Sequence, residues 1–147
     1  MGRNYNPADF DTSSFTQKGY SRKVKKPWGH ELHWTPDNLP YMGKILHVKA
    51  GKRLSLQAHD MKQESWTLLS GKCKVVWDDN ECNLAETVLE PGKGFTCALG
   101  QRHRLVGITD CDVLEVSTPE IGVTWRLEDD YARPDETEEL RRKDRGL

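Results

Sequence analysis

The stretch GKRLSLQAHDMKQESWTLLSG, Gly51 to Gly71, carries the reading of the fold. In its first half Leu54 and Leu56 fall on one side of an extended chain, while Arg53, Ser55 and Gln57 fall on the other, as a strand with one buried face requires. A short connection leads into a second run, SWTLLS, which closes at Ser70-Gly71, where glycine accepts the positive φ of a tight turn. Gln57 and His59 are two apart, so both project from one face of the first strand, and on a barrel strand that face can be the interior. Glu64 follows at the start of the second strand.

The same grammar continues on both sides of this stretch. Runs GHELHWT, GKILHVKA, KCKVVWD, AETVL, GFTCAL, RLVGI, DVLEVS and VTWRLE follow one another from Gly29 to Glu128, with turn signals such as Pro91-Gly92-Lys93-Gly94 between them. Cys73, Val75 and Trp77 again share one side. About ten short strands at this spacing point to an all-β sandwich or barrel. A helix is expected only in PDETEELRRKDRGL, which places Glu before Arg and Lys and lacks an apolar stripe, so it reads as short, exposed and frayed. The expected organisation is an irregular N-terminal arm over residues 1–24, a barrel over 25–133 and a charged tail or short helix over 134–147.

At 147 residues the chain has the length of one ordinary domain. Lys and Arg number 22 against 23 Asp and Glu, so no electrostatic footprint for nucleic acid or an anionic membrane is expected. The N-terminal residues contain no apolar run of the signal-peptide kind, and no stretch is long enough to span a bilayer. A cytoplasmic protein is the expectation. The four cysteines, Cys73, Cys82, Cys97 and Cys111, form no C-x-x-C pair and read as free thiols acting as small hydrophobes.

A distant His103, leading the run HRLVGI, can close a set with Gln57, His59 and Glu64 from across a barrel. Two imidazole nitrogens and two oxygen donors suit one divalent ion, and zinc, manganese, iron and nickel all stay open. His30, His33 and His47 have no such partners and are read as solvent-facing strand histidines outside the site.

At this point the residues become recognisable. Gly51, Gln57, His59, Glu64 and Gly71 resemble the first cupin motif, with Gln57 in place of the motif's first histidine. That substitution resembles the S-L-Q-x-H segment of type II mannose-6-phosphate isomerases, in which the glutamine is itself a ligand. Pro91, Gly92, Gly94 and Gly100 followed by His103-Arg104-Leu105 resemble the second motif of the same C-terminal domain. Lys26-Pro27-Trp28-Gly29 with Glu31 resembles its K-P-W-G-x-E opening, and Arg126 to Arg133 resembles its R-x-E-D-x-Y-G-R close. The departures are Asp60-Met61 in place of a His-rich turn, Ser65 after Glu64, and Ala132 in place of a glycine. The nucleotidyltransferase domain that precedes this barrel in bifunctional enzymes is missing from the sequence, so a free-standing relative is expected.

The resemblance implies a cupin barrel of the double-stranded β-helix or jelly-roll type with a short C-terminal helix. It also implies metal-assisted aldose-ketose isomerisation of a sugar or sugar phosphate. Candidate proton carriers are Glu128 and Lys44. Candidate substrate contacts are Arg53, Arg126, Arg133 and Trp66, against the plainer readings of surface cations, an ion-pair network of Glu128, Asp129 and Arg133, and a core tryptophan. Two other readings stay open: another small-cupin metalloenzyme, a dioxygenase or lyase, and a non-catalytic sugar-binding cupin. A homodimer is expected, with the N-terminal arm available to add a strand to a partner.

Overall fold

The computed structural model describes residues 2–147. Eleven strands follow one another: β1 (Arg22–Lys26), β2 (Gly29–His33), β3 (Met42–Val48), β4 (Leu56–His59), β5 (Glu64–Ser70), β6 (Cys73–Asp78), β7 (Leu84–Val88), β8 (Phe95–Cys97), β9 (His103–Gly107), β10 (Cys111–Ser117) and β11 (Thr124–Glu128), with a closing helix α1 (Glu138–Asp144). They form a six-stranded sheet in the order β1-β2-β3-β10-β5-β8 and a five-stranded sheet in the order β11-β4-β9-β6-β7. From β3 onward the chain changes sheet at every step but β6 to β7, as a jelly roll requires, and the all-β expectation holds. No helix among the described residues is long and apolar enough to cross a membrane.

The two-residue period of the strands explains the interior. On β3, β5 and β10 it turns Leu46, Val48, Leu68, Cys111 and Val113 inward, and from the other sheet Cys73, Val75 and Leu105 meet them in one apolar cluster with Trp28 and Trp66. The same parity, followed along the strands away from that cluster, turns polar side chains inward: Lys44 on β3, Glu64 on β5, Glu115 on β10, His59 on β4 and His103 on β9 are all buried. The barrel therefore has an apolar end and a charged end.

His33 corrects the solvent-facing expectation. It pairs across β2 and β3 with Lys44, shares that inward parity and is fully buried. His30 and His47, on the other parity, stack with their ring centroids 4.9 Å apart. Cys82 also departs from the small-hydrophobe reading, being exposed with φ 61°, while the other three cysteines are free and buried.

The termini differ in part from expectation. Residues 2–21 are exposed throughout, with two single 3-10 turns, and the sheet starts at Arg22, earlier than the arm boundary read from the sequence. Helix α1 is capped by the Thr137 side chain, which accepts from the Leu140 N–H. It is not free in solvent. Arg141 is buried, donating to Glu136 Oε1 at 3.0 Å and to the Glu120 carbonyl at 2.8 Å.

Gly71 holds the turn from β5 to β6 at φ +75°, where a Cβ would lie 2.1 Å from the Asp110 carbonyl oxygen. Gly71→Ala is therefore expected to cost about 1–3 kcal/mol from backbone strain alone, with the clash added. Thermal denaturation would show it as a lowered Tm; an unchanged Tm would mean the turn relaxes freely.

Candidate metal centre

Three strands of the charged end supply the candidate ligands. β4 supplies Gln57 and His59, β5 starts with Glu64, and β9 starts with His103, the register partner of Gln57. Metal-ligating atoms of His59, Glu64 and His103 all lie within 4.8 Å of one another, and all three residues are buried. Gln57 stands beside them on the His59 face and lines the adjoining cavity, its Oε1 accepting from Ser55 Oγ at 2.9 Å.

Hydrogen bonds behind the rings set their orientation. The His103 Nδ1–H donates to the Gln101 carbonyl at 2.8 Å, since a carbonyl can only accept, and this aims Nε2 at the cluster. His59 Nδ1 contacts Thr124 Oγ1 at 2.9 Å, aiming its Nε2 the same way. Such backing is what a metal-binding imidazole needs. In front, His103 Nε2 is 2.7 Å from Glu64 Oε1 and His59 Nε2 is 3.3 Å from the same oxygen. His103 Nε2 and Glu64 Oε2 each have an ion-pair neighbour at 2.7 Å, Glu64 Oε1 and Lys62 Nζ, but both atoms are sealed from solvent without a well-directed hydrogen bond. Sealed polar atoms of this kind are rare and ask for a partner. Two imidazole nitrogens and a carboxylate oxygen, all within 4.8 Å of one another, fit a divalent cation.

Charge follows the same geometry. Burial disfavours the Glu64 carboxylate, yet Lys62, His103 and His59 together hold it well below the usual carboxylate range. Burial lowers His59 and leaves it a neutral nitrogen donor. Burial also opposes charge on His103, but the adjacent Cys97 and Glu64 side chains outweigh it and lift the imidazole to about 10. A cation at the site takes over the electrostatic role of that proton.

Around the cluster lies a buried lattice of ion pairs. Lys62 Nζ reaches Glu64 Oε2 at 2.7 Å, Glu115 Oε2 at 3.1 Å and Glu120 Oε1 at 3.3 Å. Glu115 Oε1 accepts from Trp66 Nε1 at 3.2 Å. Glu120 also pairs with Lys44 and Arg145, and Glu136 holds Arg126 and Arg141 at 2.9 and 3.0 Å. The void these groups enclose measures about 40 Å³.

Of the substrate and proton-transfer residues expected from the sequence, Lys44, Arg126 and Arg133 line this cavity; Arg53, Glu128 and Trp66 do not. A register shift between Arg126 and Glu128 sets Arg126 opposite Gln57 but Glu128 opposite Leu56. This bulge turns Glu128 to the other face, where its side chain is 54% exposed and accepts from Arg104 at 2.7 Å. Arg53 precedes β4 and pairs outside with Asp130 at 2.7 Å and Glu128 at 3.2 Å. Trp66 is core, set edge-on to His103 with centroids 5.3 Å apart. Arg133 binds Asp129, so part of the expected mouth network exists.

Glu31, Lys62, Glu115, Glu120 and Glu136 were missed. Alternation along DVLEVS marks Glu115 as inward, and Glu31 stands in the quoted opening motif. Lys62 and Glu120 lie on connections that carry no period.

A jelly roll with a His/Glu/His cluster turned into one end of its interior is a cupin. Within that class, the chain belongs to the family described as mannose-6-phosphate isomerase C-terminal, whose family model matches residues 14–135. Similar curated proteins are the alginate biosynthesis protein AlgA of Pseudomonas aeruginosa, 29% identical over 85% of this chain and 26% of that protein, and the xanthan biosynthesis protein XanB of Xanthomonas campestris, 30% identical over 80% of this chain and 24% of that protein. The chain thus spans about a quarter of the length of these relatives. Among solved structures it resembles oxalate decarboxylase from Bacillus subtilis, with TM-score 0.66, 17% identity and coverage of 93% of this chain and 38% of that one. It also resembles KdgF from Halomonas sp., with TM-score 0.56, 16% identity and coverage of 76% and 94%. At these identities the structural likeness speaks for the fold alone.

Proposed function

We propose that the protein is a metal-dependent aldose-ketose isomerase acting on a sugar phosphate. The observation that carries this reading is the convergence of His59, Glu64 and His103, with Gln57 alongside, in a chain of the mannose-6-phosphate isomerase C-terminal family. These four residues would hold one divalent ion, with zinc, manganese, iron and nickel all compatible with the donor set. Such an ion supplies Lewis acidity toward the carbonyl and adjacent hydroxyl oxygens of a sugar.

The chain's own residues would bind the rest of the substrate. Arg126 and Arg133 both face the cavity, and burial together with the neighbouring Arg133 charge holds Arg126 below its usual value. Two guanidinium groups set side by side favour an anion between them, which suits a phosphate. Lys44, tied to Glu31 at 3.2 Å and to Glu120, remains a proton carrier in this reading. A void of about 40 Å³ holds little more than water, whereas small-molecule sites occupy several hundred Å³. Substrate entry would therefore part the Arg126–Glu136 and Lys44–Glu120 pairs among the residues that line it.

We also propose a homodimer. β1 is an edge strand, and the arm before it exposes Tyr5, Phe10, Phe15 and Tyr20. A monomeric mass in light scattering would refute this.

The isomerase reading is tested with metal-reconstituted protein and D-mannose 6-phosphate under anaerobic conditions. The expected result is its conversion to the corresponding ketose phosphate, abolished by chelation. Dioxygen consumption coupled to substrate loss, or tight binding without interconversion, would overturn it.

A further inference from the structure

The carboxylates that face the cavity differ in one respect. Both oxygens of Glu115, Glu120 and Glu136 are engaged by cations or the Trp66 indole. Glu31 is engaged through Oε2 alone, which takes His33 Nε2 at 2.7 Å and Lys44 Nζ at 3.2 Å. Among the described residues no donor meets its Oε1, although the side chain lines the cavity and keeps 14% exposure there.

The surroundings fix what that oxygen is. Arg22 Nη2 lies 2.8 Å from His33 Nδ1, and a guanidinium can only donate, so Nδ1 accepts and the ring proton sits on Nε2. His33 therefore donates to Glu31 Oε2. Burial works against charge on Glu31, but Lys44, Lys26 and His33 hold it well below the usual carboxylate range, so Oε1 is an acceptor only.

We propose that Glu31 Oε1 is a substrate-contacting acceptor that takes a hydrogen bond from a hydroxyl of the bound sugar, and so selects for a polyol at this wall of the cavity. This rests on the reading of the cavity as a sugar phosphate site. The anionic end of the substrate is excluded from the Glu31 wall by like charge and lies instead toward Arg126 and Arg133.

Glu31→Gln tests the assignment with little change of shape. His33 and Lys44 both donate to the Oε2 position, so the glutamine oxygen is drawn there and its NH₂ faces the cavity, turning an acceptor into a donor. Calorimetry with metal-loaded full-length protein is expected to show binding of D-mannose 6-phosphate weakened by about 10-fold or more, as loss of a charge-assisted hydrogen bond implies, with metal content unchanged and Tm lowered by loss of the Lys44 ion pair. Singly deoxygenated hexose 6-phosphates supply the ligand-side control. One of them should bind the unmutated protein about as weakly as the full sugar binds Glu31→Gln, and lose nothing further against the variant.

Affinity within twofold of the unmutated protein in a folded, metal-loaded Glu31→Gln would overturn the assignment. So would a deoxy series in which every member binds like the parent, a result obtainable even if the variant does not fold. Sugar binding that depends on Glu31 without any interconversion would support the acceptor and overturn the isomerase. Interconversion and affinity both indifferent to Glu31→Gln would do the reverse. Binding of neither mannose nor its 6-phosphate to the unmutated protein would overturn both.

Discussion

Replacing His103 with alanine is expected to weaken divalent-metal uptake by more than the ~100-fold that loss of an outer hydrogen-bond partner commonly costs, and to remove turnover with it. His103 is 0% exposed, its Nδ1 is committed to the Gln101 carbonyl, and its Nε2 faces Glu64 from across the barrel. The ring's place is fixed by Trp66, packed edge-on against it, and by the β9 backbone, which β6 holds in register. His59→Ala should act similarly. His47→Ala is the control: that ring stacks on His30 and bonds Asp112 at 2.7 Å on the other face of the sheet, so metal content should not change. Elemental analysis after exhaustive dialysis against trace metal reads all three. Undiminished metal in both His103→Ala and His59→Ala would remove the centre from this place in the fold.

The second large effect concerns folding. Lys62→Met is expected to destabilise the metal-free protein by about 3–5 kcal/mol, the usual consequence of removing one partner from a buried ion pair, which for a chain of this size lowers Tm by roughly 10 °C. Lys62 is buried and is the shared counter-ion of Glu64, Glu115 and Glu120. Without its ammonium, Glu64 and Glu115 face each other in a low-dielectric space, and burial already pushes Glu115 up.

The sign with pH follows. A carboxylate held below its unfolded value, as Glu64 is, contributes stability above that unfolded value and loses it as pH falls through its folded one. The variant lacks that contribution. Its deficit relative to the unmutated protein should therefore be largest near neutrality and shrink below about pH 4. A deficit independent of pH would point to lost packing of the lysine stem instead.

Much of the candidate site was legible because a strand repeats every two residues. Gln57 and His59 were placed on one face by counting alone, and the structure brings His59, Glu64 and His103 together. Counting failed where the period is interrupted. Arg53, read with Ser55 and Gln57 as one face, stands before β4 begins and makes only an isolated bridge to Val106. Glu128, two residues after Arg126, is displaced by the bulge in β11. Both were expected at the substrate and both pair outside it.

The sequence by itself determined the strands, their turns, the inward parity of most side chains and the family resemblance, since these depend on local periodicity and on residues that keep their order along the chain. Three-dimensional packing settled which inward-facing residues share the charged end of the barrel, that Lys62 and Glu120 arrive there from connections, and that one oxygen of Glu31 has no donor among the described residues. Desolvated charges are satisfied by whatever lies within about 3–4 Å in space, and partners such as Lys62 and Glu115 or Lys44 and Glu120 meet only because the fold sets a connection beside a strand distant in sequence, a relation that no local spacing encodes.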